Sequence, residues 1–409
     1  MNKTNVVDFP RPEHLDPLTE LIRQGARQLI EAALEAEFAQ YLSQFSPEDR
    51  IVRSGFQPER EIQTGIGPVA VKIPKARARG TTKACFRSSL VPPYVRKAKS
   101  LEAALPWLYL QGISSGQMDQ ALRVLVGDSA KGLSAATVSR LKRQWADEYR
   151  QWRQQPLDKD QWVYLWVDGI YSGLRSEDTK LCALVVIGVN AYGQKRFLAI
   201  EDGVRESTQS WREVLLGLKQ RGLTQPPKLA IGDGAMGFWA ALDEVYPETK
   251  HQRCCLHKSN NVVNYLPKSA QPKAREGLRE IWQAEDKAAA EKAFSAFIER
   301  YQAKYPKAVR CLEKDKASLL TFYDFPAEHW QSIRTTNPIE SSFATIRHRS
   351  RKAKGCLSRA TMLEMLYKLG ESAEKSWRKL RGFKRLGEVI RGVRFTDGIS
   401  EHEQDQNVA

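Results

Sequence analysis

Apolar side chains return at steps of three and four along residues 17–45, where Leu18, Leu21, Ile22, Leu29, Ile30, Ala33, Leu34, Phe38 and Leu42 form one stripe. That period predicts an amphipathic helix. The stripe is expected to pack on its own domain or on a second subunit, which marks 1–50 as a candidate dimerisation segment. The period drops to two at Val69, Val71 and Ile73, behind the turn signal Gly65-Ile66-Gly67-Pro68, so a small β-hairpin is expected over 60–75. Lys72, Lys75, Arg77, Arg79, Lys83 and Arg87 overlap its end and continue past it. A solvated loop and a phosphate-contacting loop both fit that run, and 51–98 reads as hairpin plus basic segment.

Over 99–153 the pattern predicts three helices. The middle one, about 114–126, ends near Gly127, and Ser134 is a good N-cap for a basic helix. Short polar residues at the start of a basic helix, behind another helix and a tight turn, fit a helix-turn-helix reader of DNA. Its contacts would come from Ser134, Thr137, Ser139, Arg140, Lys142 and Arg143. Any small helical bundle produces the same pattern. Gln154–Lys159 is the best linker. Beyond it the chain turns α/β: strands at 162–167, 181–189 and 196–200, a helix at 208–220, a strand at 228–231, a helix at 238–245 and a strand at 250–255. Three strands in meander, then helix, strand, helix, strand, is the order of a ribonuclease-H-like core over 160–263. A helical insertion is expected over 264–332, then C-terminal catalytic and basic helices over 333–395 and a tail over 396–409.

Composition narrows the class of partner. Lys and Arg number 64 against 48 Asp and Glu, for a net charge of +16, which favours a polyanion, nucleic acid before membrane. The longest apolar run, Leu181 to Val189, is about half a membrane span. Met1–Pro10 is polar and has no signal-peptide core. Six cysteines do not make a disulfide framework in so long a chain, so a reducing cytoplasm is expected.

Two acids stand where apolar strands end. Asp168 closes the strand 162–167 and Asp233 closes 228–231, and glycine follows each. On neighbouring strands they would converge at one edge of the sheet, where their repulsion calls for divalent cations. Asp-Gly is also the commonest hairpin signal, so either one alone reads as a turn; the pair, each closing a strand of the right order, reads as chemistry. Glu201 and Asp202 also close a strand and are the leading decoys. Glu340 follows Asn337 and Pro338, which suit N-cap and first helical position. It therefore also suits a capping box, but Arg347, His348, Arg349, Arg351, Lys352 and Lys354 would bring phosphates beside it.

Four stretches resemble the mutator-type transposases of bacterial insertion sequences, relatives of the plant Mutator elements. They are Val167-Asp168-Gly169-Ile170-Tyr171, Gly232-Asp233-Gly234-Ala235-Met236-Gly237-Phe238, Gln252-Arg253-Cys254-Cys255-Leu256-His257, and His329 through Arg334-Thr335-Thr336-Asn337-Pro338-Ile339-Glu340. The similarity extends upstream through Arg53-Ser54-Gly55-Phe56 and Gly112-Ile113-Ser114. The resemblance implies a DDE triad of Asp168, Asp233 and Glu340 holding two Mg²⁺ ions, with Mn²⁺ as alternative, on a ribonuclease-H-like fold with a helical insertion. It implies cleavage and strand transfer of double-stranded DNA, at transposon ends and target, by a homodimer or larger assembly in the bacterial cytoplasm at the nucleoid. DNA contacts would also come from Arg334, Arg347, Arg349, Arg351 and Lys352. Cys254 and His257 are picked out as a family signature; with His251 they suggest zinc, but no second ligand pair follows, and a structural Cys/His contact is preferred. Trp282 and Trp330 suit base stacking or burial, burial first. Two rival readings remain. His348-Arg349-Ser350-Arg351 with Tyr367 imitates a tyrosine recombinase, and a non-catalytic DNA-binding regulator would use only the helix-turn-helix.

Overall fold

The computed structural model describes residues 17–45, 51–64, 67–78, 85–93, 95, 135–172, 181–203, 205–234, 237–339 and 358–403. Its contacts divide the chain into two units, Met1–Leu141 and Lys142–Ala409.

In the first unit, helix α1 (Pro17–Leu42) precedes four strands, β1 (Ile51–Phe56), β2 (Arg60–Thr64), β3 (Gly67–Val71) and β4 (Pro74–Ala78). The expected hairpin is β2–β3, in register from Arg60 opposite Val71 to Thr64 opposite Gly67. The basic run is partly strand rather than loop, because β4 pairs antiparallel with β1. Its alternation explains the change: Pro74 and Ala76 face inward while Lys75 and Arg77 face out. Leu34 and Phe38 of α1 are buried with Ile62, Val69, Val71, Ile73, Phe86 and Val91. The front half of the helical stripe is different: Leu18, Leu21, Ile22 and Leu29 are exposed.

The second unit begins within α2 (Ala135–Arg153) and centres on a five-stranded sheet. Its strands are β5 (Trp162–Ser172), β6 (Leu181–Asn190), β7 (Lys195–Gly203), β8 (Leu229–Gly232) and β9 (Lys250–Arg253), in the order β7-β6-β5-β8-β9. The first three form an antiparallel meander, and β8 and β9 add on in parallel. Nearly unbroken apolar runs in β5 and β6 reflect burial on both faces. One face packs on α3 (Thr208–Gln220) and α4 (Phe238–Val245), with Leu165, Val167 and Ala230 meeting Trp211, Leu215, Phe238 and Leu242.

Helices α5 (Cys255–Val263), α6 (Gln271–Trp282), α7 (Lys287–Gln302) and α8 (Pro306–Glu313) follow β9, and α9 (Arg359–Glu374) comes later. The segment after α8 covers the other face of β5. Tyr164 meets buried His329 at 2.9 Å, and the Trp166 indole donates to the Ser332 carbonyl at 3.1 Å. His329 Nε2 lies 3.0 Å from the Gly382 carbonyl. That nitrogen must therefore carry the proton, and Nδ1 accepts from the Tyr164 hydroxyl. Trp282 is buried, and Trp330 packs against Phe322 and Tyr323, so both serve the core. No helix among the described residues is long and apolar enough to cross a membrane.

One buried carboxyl on this framework responds to pH. Glu374 of α9 accepts the Phe197 amide of β7 at 2.5 Å, and burial pushes its carboxyl up to about 7. An acid whose folded value exceeds its ordinary 4.5 holds a proton that the unfolded chain has lost, so it costs stability as pH rises through that window. Glu374→Gln keeps the acceptor and removes the charge. Its melting temperature is expected to match wild type near pH 4 and to exceed it increasingly up to pH 8; thermal melts across that range, as an approximate guide to the window, check this.

Candidate active site

Asp168 lies inside β5, opposite Val185 of β6, and is 8% exposed. The strand expected to stop at Val167 continues to Ser172, because β6 pairs with it throughout. On its other side β5 pairs with β8, and the last matched residues are Trp166 and Ile231. Asp168 stands two residues further along β5, and Asp233 directly follows the end of β8, two residues past Ile231. Asp168 shares the sheet face of Tyr164 and Trp166, and the charges of both acids reach Glu206 and His257. Each accepts the amide of the glycine after it, Gly169 to Asp168 Oδ1 at 2.9 Å and Gly234 to Asp233 Oδ1 at 2.5 Å.

A third carboxyl, Glu206, stands beside them. A Cβ at position 169 would lie 2.1 Å from Glu206 Oε1, so glycine leaves the room this acid occupies. Burial, then repulsion from Asp168 and Asp233, push the Glu206 carboxyl up against the opposing pull of Tyr171 and His257. Gly237 fixes its backbone: the Gly237 amide donates to the Glu206 carbonyl at 2.9 Å, and a Cβ there would stand 2.3 Å from the Thr208 nitrogen. Nothing in the sequence marks Glu206, which sits in a connection with neither strand nor helix period. The decoys are accounted for by arginines: Arg153 holds Glu201 and Arg359 holds Asp202.

Cys254 and His257 meet at the same edge. The Cys254 amide donates to the Gly232 carbonyl at 2.8 Å, which ties it to the residue before Asp233. Its sulfur accepts from the Thr336 amide at 3.3 Å and the Thr336 hydroxyl at 3.4 Å. Burial raises the thiol, but hydrogen bonding and charge from His257, with Thr336, more than offset this and leave it below its ordinary value. The His257 imidazole is pushed up to about 9, first by its hydrogen bond to Cys254 and also by Asp233 and Asp168, against its own burial. Both shifts favour charge separation across the pair, negative on the sulfur and positive on the imidazole. His251 points elsewhere, to Asp243 at 2.9 Å and the Trp239 ring. Among the described residues no group of three or more His, Cys, Asp or Glu is placed to hold a metal ion.

Gln252, fully buried, locks β9 to the covering segment. Its amide nitrogen donates to the Leu319 carbonyl at 3.0 Å, and its oxygen accepts the Phe322 amide at 2.8 Å. Arg334 is held inward, Nη1 donating to the Trp282 carbonyl at 2.5 Å, while its own carbonyl accepts the Cys255 amide at 2.9 Å. Helical residues begin at Asn337, one earlier than expected, so Thr336 occupies the cap position. Its carbonyl accepts the Ile339 amide at 2.9 Å. Glu340, Arg347, Arg349, Arg351 and Lys352 lie outside the described residues, as do Ser134 and the two helices expected before it. Thr137, Ser139 and Lys142 lie along α2 with Arg140 and Arg143, and those two arginines are exposed.

The model of the transposase Mutator family matches residues 2–380. The chain is 52% identical over 282 residues to the transposase for insertion sequence element IST2 of Acidithiobacillus ferrooxidans, covering 69% of this chain and 95% of that one. It is 49% identical over 298 residues to the transposase for insertion sequence element IS6120 of Mycolicibacterium smegmatis, covering 73% and 92%. Among solved structures, the HTLV-2 integrase catalytic core domain in complex with magnesium gives a TM-score of 0.16 at 12% identity, over 30% of this chain and 85% of that one, a likeness on which nothing rests. With a family match running through both units and two insertion-sequence transposases this similar, the chain belongs to the Mutator family of transposases.

Proposed function

We propose that this transposase binds the terminal inverted repeats of an insertion sequence and performs DNA strand cleavage and strand transfer by a DDE mechanism, with Asp168, Asp233 and Glu340 as its acids. The observation that carries the reading is that Asp168 in β5 and Asp233, directly after the adjacent parallel strand β8, follow the matched pair Trp166–Ile231 by two residues each, with both charges acting on Glu206 and His257. The sheet order, an antiparallel meander extended by two parallel strands, supports a ribonuclease-H-like core. Helices α5 to α8 then form the insertion between the second and third acids, and the polar start of the basic helix at Ser134 supports a helix-turn-helix reader. The exposed front of α1 suits a homodimer or larger assembly on paired ends.

The donor set fits two Mg²⁺ or Mn²⁺ ions: hard carboxylate oxygens, close enough that Glu206, seated in the room Gly169 leaves, feels both aspartates. When bound, such ions supply electrophilic stabilisation of the scissile phosphate and a more acidic attacking hydroxyl. Asp168 and Asp233 would hold them from the sheet, and Glu340 from the helix that follows Thr336. The Cys254–His257 pair fixes that helix start against β8 and places one positive charge beside the two aspartates. Reaction is in-line phosphoryl transfer with no protein nucleophile. Tyr367, the nucleophile of the rival recombinase reading, has its ring packed on Trp152 and its phenol raised first by burial. A plasmid transposition assay in Mg²⁺ tests the triad: Asp233→Ala and Glu340→Gln are expected to abolish transposition, and wild-type activity in both would remove it.

A further inference from the structure

Lys307 and Arg310 of α8, with Lys314 one residue past its end, line one side of a cleft that begins at the residue after Asp233. The cleft, about 620 Å³, lies between α5 and α8, and Gly234, Tyr265, Lys307, Arg310 and Lys314 contribute to its walls. Positions 307, 310 and 314 are separated by three and four residues, so they share one helix face. All three side chains are exposed, and none takes part in an ion pair among the described residues. Like charges at this spacing repel one another by roughly a few tenths of a kcal/mol per pair, and among the described residues no ion pair to these three offsets that. Asp315 is the one acid in the cleft lining, and it is already held by Lys258 and, at 3.7 Å, by Arg253. Lys258 is itself buried and also donates to the Cys311 carbonyl at 3.1 Å. The cleft is therefore left with an uncompensated positive wall.

We propose that this cleft carries the phosphate backbone of the DNA strand leaving the cleavage site, with Lys307, Arg310 and Lys314 each facing a phosphate. The assignment of direction rests on the Asp168–Asp233 site as the place of cleavage. Along the helix axis the row spans about 10.5 Å, close to three steps of a B-form strand at roughly 3.4 Å each, so three phosphates fall within its length. Tyr265, 53% exposed at the same cleft, offers a ring on which an unpaired base can stack. The feature is distinct from the basic positions around 347–352 and from the helix-turn-helix: it sits on the helical segment after β9 and touches the active site at Gly234.

The test is the salt dependence of binding between the full chain and a fluorescent duplex bearing the element's own end, in Ca²⁺ so that the DNA stays intact. Each phosphate contact contributes about 0.9 to the slope of log K against log salt. The triple variant Lys307→Ala, Arg310→Ala, Lys314→Ala is expected to flatten that slope by about 2 to 3 and to weaken binding ten-fold or more at low salt. Lys314→Ala alone, which guards against a folding defect in the triple variant, should flatten it by about 1, and Lys314→Arg should restore it. Unchanged slope and affinity in both alanine variants would overturn the proposal. Asp233→Asn keeps the wild-type slope while losing cleavage in Mg²⁺; if it still cleaves, the active-site reading fails, while the slopes continue to decide whether the cleft binds DNA.

Discussion

Asp168→Asn is expected to slow DNA strand cleavage by at least about 10³-fold, in line with the loss of a principal transition-state charge contact, while leaving the chain as stable as wild type or more so. The two effects have one cause. Asp168 in β5 and Asp233 just past the end of β8 lie close enough that, after burial, both raise Glu206. Without a cation this crowding of carboxylates works against folding, and converting one to an amide relieves it. The Gly169 amide keeps an oxygen to donate to. Cleavage rates in Mg²⁺ together with thermal melts in a chelator separate this outcome from a folding defect, which would lower both. Activity within a few-fold of wild type would favour a regulator that uses the chain only to bind DNA.

The second large effect concerns Cys254 and His257. Cys254→Ala strands an imidazolium that burial disfavours, and it also removes the acceptor of two Thr336 hydrogen bonds. The expected cost is about 2 to 3 kcal/mol, somewhat below that of breaking a fully enclosed pair because His257 is partly solvated. Melting should fall by roughly 5 °C or more for a unit of this size. Since the interaction is mutual, the double variant Cys254→Ala, His257→Ala should cost clearly less than the sum of the singles. Strict additivity would show that the two side chains do not act as a pair. Because Thr336 leads into helical residues 337–339, directly before Glu340 in the sequence, the same variants should lower turnover more than DNA affinity.

The central sheet was legible because its strands are buried on both faces and therefore read as apolar runs: 162–167, 181–189 and 228–231 each appear nearly where expected. The two aspartates were legible for the same reason, since a charge closing such a run has few structural uses. β1 and β4 were not. Arg53-Ser54-Gly55 breaks the alternation of one, and the lysine and arginine of the other read as solvated loop, although its Pro74 and Ala76 are buried. Glu206 escaped because its position depends on the close approach of Gly169 and Gly237, which no local pattern encodes. The Lys258–Asp315 contact joins α5 to the turn after α8, so periodicity within either helix is silent about it. The apolar stripe of α1 gave the helix but not which part of it packs within the unit, because periodicity reports a face and not what covers it.

The account stands on Asp168, Asp233 and Glu340 sharing divalent cations. Anomalous diffraction from crystals of the chain with its DNA end and Mn²⁺ measures that directly. Manganese held by Asp168, Asp233 and Glu340 is the predicted result. Manganese bound elsewhere, or a Glu340 carboxylate serving only as a cap on its own helix, would contradict it.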